Sequence, residues 1–183
     1  HVVMLHSDIL PRDPHWIKQI IELADANKVD VLSAVSPIKN ALGLTSTALA
    51  KKVEFGNFRR VTMREVGNLP EVFFRDDVAK LFEWDTRRTT LLVNTGLMCV
   101  RMEKRRILEQ MRFTTNNWIR RTNAGKFVAV SEPEDWEWSR QAADRGLTVA
   151  ATRAVVLSHR GDFDYRNDCP WGSLTSDPGD SKG

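Results

Sequence analysis

Every apolar run in this chain is short and stops at a polar or flexible residue, which limits the fold to short strands and helices packed in layers. Residues 2–5, 29–35, 89–93 and 97–101 form such runs, and several are rich in β-branched side chains. Runs of this length read as buried strands. None approaches the ~18 apolar residues that a membrane-crossing helix needs. Between them lie stretches with helical spacing. Asp13 is placed as an N-cap, with Pro14 at the first helical position. Trp16, Ile17, Ile20, Ile21 and Ala24 then recur on one face, giving an amphipathic helix to about Asn27. A second helix is expected over 76–82, where Val78, Leu81 and Phe82 share a face, and a third over 103–111 by composition. A fourth spans 133–145 and is closed by Gly146 at the position after a helix end.

The remaining segments read as connections or further strands. Residues 36–50 are small and polar and predict a loop, whereas Val53, Phe55 and 58–63 suggest an irregular hairpin. Strand character returns at 127–130, 148–151 and 154–157. From Asp162 onward Gly, Asp, Ser and Pro predominate, which predicts a mobile tail or flap. Strands interleaved with helices argue for an α/β layered domain, and 183 residues suffice for one core.

Charge narrows the partners little. The net charge is +3, and Arg59-Arg60, Arg87-Arg88, Lys104-Arg105-Arg106 and Arg120-Arg121 are scattered along the chain. Such clusters read as solvated faces, so nucleic acid is not expected as a partner. Cys99 lies in an apolar run and is expected to be an inert buried thiol, and it forms no CxxC pair with Cys169. This usage fits a reducing compartment, with a cytoplasmic location or the cytoplasmic face of a membrane as the expectation. No secretory leader is visible, and the chain opens at His1 instead of Met, directly into an apolar run, so an excised or processed segment is expected.

Three places set metal-competent or acid–base groups at the ends of secondary elements: His6-Ser7-Asp8 after the first strand, Glu134-Asp135 at a helix start, and His159 after an apolar stretch. Ligand sites in open α/β sheets lie at the carboxyl ends of strands. In an extended stretch, residues two apart share a face, so His6 and Asp8 are expected to converge on one ion. Singly, each group also has a structural explanation. Asp8 suits a turn, Glu134 and Asp135 suit the positive end of a helix dipole, and Ser131 with Glu134 spells a capping box. His159 alone would more often be a satisfied core or surface histidine.

Taken in order, these features resemble the GT-A glycosyltransferases, in particular their family-2-like group. The resemblance rests on an apolar strand ending in a D-x-D-like motif, His6-Ser7-Asp8, then a proline-containing loop from Pro11 to Pro14 and an amphipathic helix. It continues through the strand at 29–35, the Asn94-Thr95-Gly96 turn before an apolar strand, the acidic pair Glu134-Asp135 heading a helix, and the stretch from Val155 to His159. It covers about 2–159, and its specificity lies in order and spacing. His6 departs from the motif's first aspartate, and no Q/R-x-x-R-W motif of processive polysaccharide synthases is present. Nothing in the chain corresponds to the family's first, nucleotide-binding strands.

The resemblance implies the C-terminal portion of a GT-A mixed sheet flanked by helices, with residues 1–161 as a partial domain and 162–183 as a polar tail or lid. It implies metal-dependent, inverting transfer of a sugar from a nucleotide-diphosphate sugar to a carbohydrate or other hydroxyl acceptor. Asp8, His6 and His159 would ligate Mn²⁺ or Mg²⁺, and Ser7, Asp8 and Trp171 would meet the donor. Asp135 would be the catalytic base, and Trp136 and Trp138 would serve as a sugar-stacking surface or as core. An upstream domain or partner chain would complete the sheet. The alternatives are a non-catalytic carbohydrate- or metal-binding remnant of the same fold and a nucleotidyltransferase.

Overall fold

The computed structural model describes residues 1–51, 57–122 and 124–178. In chain order its elements are β1 (Val2–Leu5), β2 (Ile9–Pro11), α1 (Trp16–Ala26), β3 (Val31–Ala34), β4 (Leu44–Lys51), β5 (Phe58–Thr62), α2 (Met63–Val66) and β6 (Val72–Phe74). There follow α3 (Arg75–Phe82), β7 (Thr89–Leu92), β8 (Leu97–Val100), α4 (Arg105–Leu108), β9 (Asn116–Arg121) and β10 (Phe127–Glu132). The last are α5 (Glu134–Asp144), β11 (Val149–Thr152), β12 (Leu157–Arg160) and β13 (Asp164–Arg166). The architecture is mixed α/β, rich in strands distributed over several sheets.

The central sheet has the order β1-β8-β3-β11-β6. β3 and β11 pair in parallel, and β8 runs antiparallel to both β1 and β3. β1, β3 and β11 therefore point the same way. Period-two alternation divides this sheet between two cores. Leu32, Ala34, Leu97 and Cys99 face α1 through Ile20 and Ala24, whereas Val31, Met98 and Val100 face a larger cluster with Phe73, Phe82, Trp138 and Ala142. Burial on both faces explains why these strands read as continuous apolar runs. β1 has no second strand neighbour among the described residues, and its Val2 and Leu5 are exposed.

Several expectations are corrected. Residues 36–50 contain a strand, β4, which pairs with both β5 and β7. Its small residues have a packing reason: Ala48 and Ala50 lie against the buried Trp136 indole, and larger side chains would collide there. Thr45, polar but buried, donates its hydroxyl to Val61 O at 2.7 Å. The helix expected over 103–111 shrinks to a 3₁₀ turn at 102–104 and the single turn α4. The strand expected at 154–157 starts later, as β12, and β9 was not foreseen. Val53 and Phe55 lie outside the described residues.

Helix ends also differ. α1 begins after His15, and Asp13 instead accepts the His15 N–H at 2.7 Å as a local turn. α5 begins after Pro133 without a side-chain cap, so Ser131 and Glu134 do not form a capping box. Gly146, at φ +74°, takes the left-handed conformation that stops α5.

The tail through residue 178 is docked. β13 pairs with β12, and Ser173 N and Leu174 N donate to Ala41 O and Leu42 O at 3.2 and 3.1 Å. Asp177 accepts the Arg60 N–H at 2.7 Å, and the Gly43 and Gly172 backbones touch so closely that a Cβ on either would meet main-chain atoms. Local composition predicted mobility because the backbone partners of residues 173 and 174, Ala41 and Leu42, lie more than a hundred residues earlier in the chain.

Candidate functional site

The parallel course of β1, β3 and β11 sets their carboxyl ends along one margin of the central sheet, the place where α/β sheets bind ligands. After β1 the chain turns sharply, with Ile9 N donating to His6 O at 3.1 Å, and enters β2. β2 pairs with β12 in the register His159↔Ile9, and Arg160 N donates to Asp8 O at 2.7 Å. This pairing brings together two residues 151 positions apart: Asp8 Oδ2 lies 3.1 Å from His159 Nε2. The Lys39 ammonium, in the loop after β3, donates to the same Asp8 Oδ2 at 2.6 Å. That hydrogen bond, with a further contribution from His159, holds the Asp8 carboxyl below the usual carboxylate range.

The His159 ring is oriented from behind. Its Nδ1 lies 2.7 Å from Pro37 O, and a carbonyl oxygen can only accept, so Nδ1 carries a proton. Nε2 meets the Asp8 carboxylate at 3.1 Å, an ion pair when the ring is protonated, and the Lys39 ammonium brings a positive charge to the same oxygen. A ring N–H donated to a backbone carbonyl also fixes the tautomer in histidines that hold metals. Asp8 and His159 together could offer a cation one carboxylate oxygen and one imidazole nitrogen, and the Lys39 ammonium already sits on that oxygen.

His6 does not join this pair. Residues 6–9 form a turn, so the alternation that would align His6 with Asp8 is broken, and His6 Nε2 instead lies 3.0 Å from Thr95 Oγ1. Among the described residues, no group of three His, Cys, Asp or Glu side chains could hold a metal ion. His6 and Thr95 line a cavity of about 430 Å³ with Met4, Leu5, Phe113 and Glu134. The Asn94-Thr95-Gly96 turn is rigid: Asn94 Oδ1 accepts Gly96 N at 2.9 Å, Asn94 Nδ2 donates to Ala34 O at 3.2 Å, and Ser33 Oγ donates to Asn94 O at 2.7 Å.

The acidic pair at the head of α5 divides its surroundings. Exposed Glu134 opens on the cavity that His6 lines, which is not the capping role expected of it. Asp135 is half-buried, and burial, with the neighbouring Glu134 charge adding to it, pushes its carboxyl up to about 6. The Trp136 N–H at 2.9 Å and the Arg60 charge oppose that rise without cancelling it. Trp136 and Trp138 are both buried, Trp136 with its indole N–H donated to Ser46 O at 2.9 Å, so neither offers a face to a ligand. Phe113 does: it is half-exposed at the cavity and stacks on Trp138 with centroids 5.7 Å apart.

Ser7 is exposed on the turn beside Asp8. Trp171 is half-buried against the larger core, donates its indole N–H to Arg166 O at 2.8 Å and leans on Tyr165. In this structure it packs within the docked segment. A somewhat larger cavity, about 490 Å³, lies where β11 begins and α5 ends, away from the margin that carries Asp8.

Sequence reasoning missed Lys39, Pro37 and Phe113. The first two lie in the stretch read as featureless loop, and Phe113 stands outside any periodic pattern. Comparison with protein-family models, with curated proteins and with solved structures found no match. No helix among the described residues is long and apolar enough to cross a membrane.

Proposed function

We propose that the chain is the metal- and acceptor-binding part of a GT-A-type glycosyltransferase, transferring a sugar from a nucleotide-diphosphate sugar to a hydroxyl acceptor with inversion. The observation that carries this reading is the approach of Asp8 and His159 to 3.1 Å at the carboxyl margin of the parallel strands, with the His159 tautomer set by Pro37 O. Asp8 and His159 would hold Mn²⁺ or Mg²⁺. Bound there, the ion supplies charge stabilisation for the diphosphate that leaves as the sugar departs. Asp135 takes the proton from the acceptor hydroxyl, and a carboxyl pushed up to about 6 is a stronger base at neutral pH than an ordinary aspartate. The exposed Phe113 ring suits the face of an acceptor sugar. A strand contributed upstream, or by a partner chain, would pair along the open edge of β1 and extend the sheet toward a nucleotide pocket.

A second base, Glu134, is favoured by one observation: it lines the cavity with His6 and Phe113. The two acids are separable by substitution, as set out below.

The deciding experiment follows nucleoside diphosphate release from a panel of nucleotide-sugars with Mn²⁺, using the chain alone and in its full coding context. Release that requires both Asp8 and an acceptor hydroxyl supports glycosyl transfer. Pyrophosphate release from nucleoside triphosphates would instead support nucleotidyl transfer. Binding of sugar or metal with no turnover of any donor would leave the non-catalytic remnant as the better description.

A further inference from the structure

The hairpin of β9 and β10 belongs to neither core. Among the described residues its strands pair only with one another, in a register that sets Phe127 opposite Arg121 and Ala129 opposite Ile119. A two-stranded ribbon is marginal by itself and needs an anchor. Its base has one in α5: Asn116 Nδ2 donates to Glu137 Oε2 at 2.6 Å, and Glu132 forms a buried ion pair with Arg140 at 2.8 Å. Beyond that base the ribbon lies in solvent, and residues 124–129 are all exposed.

Cross-strand partners and residues two apart share a face, so Ile119, Arg121, Phe127 and Ala129 form one side of the ribbon. On that side Ile119 and Phe127 are each 74% exposed, more than any other large apolar side chain among the described residues. Trp118 and Val130, on the opposite side, are partly buried. The outward apolar pair is accompanied by cations. The Arg121 guanidinium lies 6.0 Å from the Phe127 ring centroid, and exposed Lys126 adjoins Phe127 in the chain. From Gln110 to Ser131 the sequence holds Arg112, Arg120, Arg121 and Lys126 and no acid. The tip also satisfies its own main chain: Thr122 N donates to Lys126 O at 2.7 Å, Gly125 N to Thr122 O at 2.8 Å, and Lys126 N to the Thr122 hydroxyl at 3.2 Å. Gly125, at φ +79°, permits that closed turn. Backbone groups paired in this way lower the cost of leaving water for an apolar medium.

We infer that the β9–β10 hairpin docks the chain on an anionic lipid surface, with Ile119 and Phe127 entering the boundary between headgroups and acyl chains and Arg121 and Lys126 lying among the lipid charges. The inference is independent of the glycosyl-transfer reading. Two exposed apolar side chains bind a bilayer weakly, and basic residues beside them supply the second signal that stable peripheral attachment needs. The same composition disfavours the other occupants. A second copy of this face would set basic ribbon against basic ribbon, and like charges repel. A nucleic acid would gain a stacking partner in Phe127 but none in the aliphatic Ile119. A lipid surface uses both apolar side chains and both cations at once.

The test is co-sedimentation of the chain with vesicles of phosphatidylcholine, either alone or with about 30% phosphatidylserine. The wild type should bind the anionic vesicles about tenfold more tightly than the neutral ones, and added salt should erase the difference. The double substitution Ile119→Ser with Phe127→Ser should weaken binding to anionic vesicles by about tenfold or more. Arg121→Gln and Lys126→Gln should each weaken it about fivefold at low salt. Phe163→Ser removes a ring that is 73% exposed between β12 and β13, outside the hairpin, and should leave binding unchanged. All these side chains are exposed, so thermal melts of the variants should match the wild type. Absence of vesicle binding by the wild type would overturn the inference. So would undiminished binding by the Ile119→Ser, Phe127→Ser double variant, or an equal loss in Phe163→Ser. Without vesicle binding, a dimer that the double variant dissociates in sedimentation equilibrium would assign the face to a second copy. Binding of a single-stranded RNA oligonucleotide that the same variant loses would assign it to nucleic acid, and either result replaces the lipid surface.

Discussion

Two aspartates mark the two halves of the proposed chemistry, and their surroundings are opposites. Asp8 is in reach of water and held by the Lys39 ammonium and His159, which keep it ionised. Asp135 is half-buried beside a second acid, which pushes its carboxyl up to about 6. A carboxylate that must hold a cation works best fully ionised, and one that must accept a proton works best with its affinity for protons raised. The same side chain is thus tuned in opposite directions by a lysine on one side and by burial on the other.

The comparison breaks most sharply at Asp8. If the proposed transfer is correct, Asp8→Asn should lower turnover by about 10³-fold, the scale of losing a main electrostatic stabiliser. A loss of less than tenfold in donor turnover assays would show that Asp8 is not the metal-holding acid.

At Asp135 the expected loss is about 10²- to 10⁴-fold for Asp135→Asn, with Mn²⁺ binding intact. Wild-type kcat/KM should rise as pH increases through about 6, because the base must be ionised, and the variant's residual rate should lack that step. Near-normal turnover in this variant would transfer the role to Glu134.

Stability should move the other way. The folded-state value near 6 lies above the ordinary 3.8, so the folded chain holds a proton that the unfolded chain has released in between. This contribution is full below about pH 3.8 and is lost as pH rises through 6. Asp135→Asn should therefore be more stable than wild type at pH 7–8, by about 1–3 kcal/mol in denaturant melts. Equal stability across pH 4–8 would remove the argument that burial tunes this residue.

Smaller effects sharpen the picture. Glu134→Gln removes the like charge, the lesser of the two causes raising Asp135, so the acidic limb of the pH–rate profile should move to lower pH, with turnover changed less than about tenfold. An acidic limb that disappears would make Glu134 the titrating base. Ser7→Ala, on the exposed turn beside Asp8, should stay within about twofold of wild type.

The local pattern reveals what depends on neighbours in the chain. Short β-branched runs become β1, β3, β7 and β8, the amphipathic spacing from Trp16 becomes α1, and Gly146 stops α5, because periodicity and φ preferences act over a few residues. The polar ends of strands were visible for the same reason, and with them Asp8, Asp135 and His159 as candidates. Only the tertiary structure decided which of them meet. The β2–β12 pairing brings Asp8 to His159, the turn at residues 6–9 sends His6 to Thr95, and the loop after β3 delivers Lys39. β4 and the docked segment at 164–178 were illegible locally because small and polar residues become strand or anchored chain only when distant partners cover them: Trp136 over Ala48 and Ala50, and residues 41–43 beneath 172–174. Those contacts span sequence separations over which no periodicity carries information, so register and crossover topology, not local composition, brought Asp8, Lys39 and His159 together.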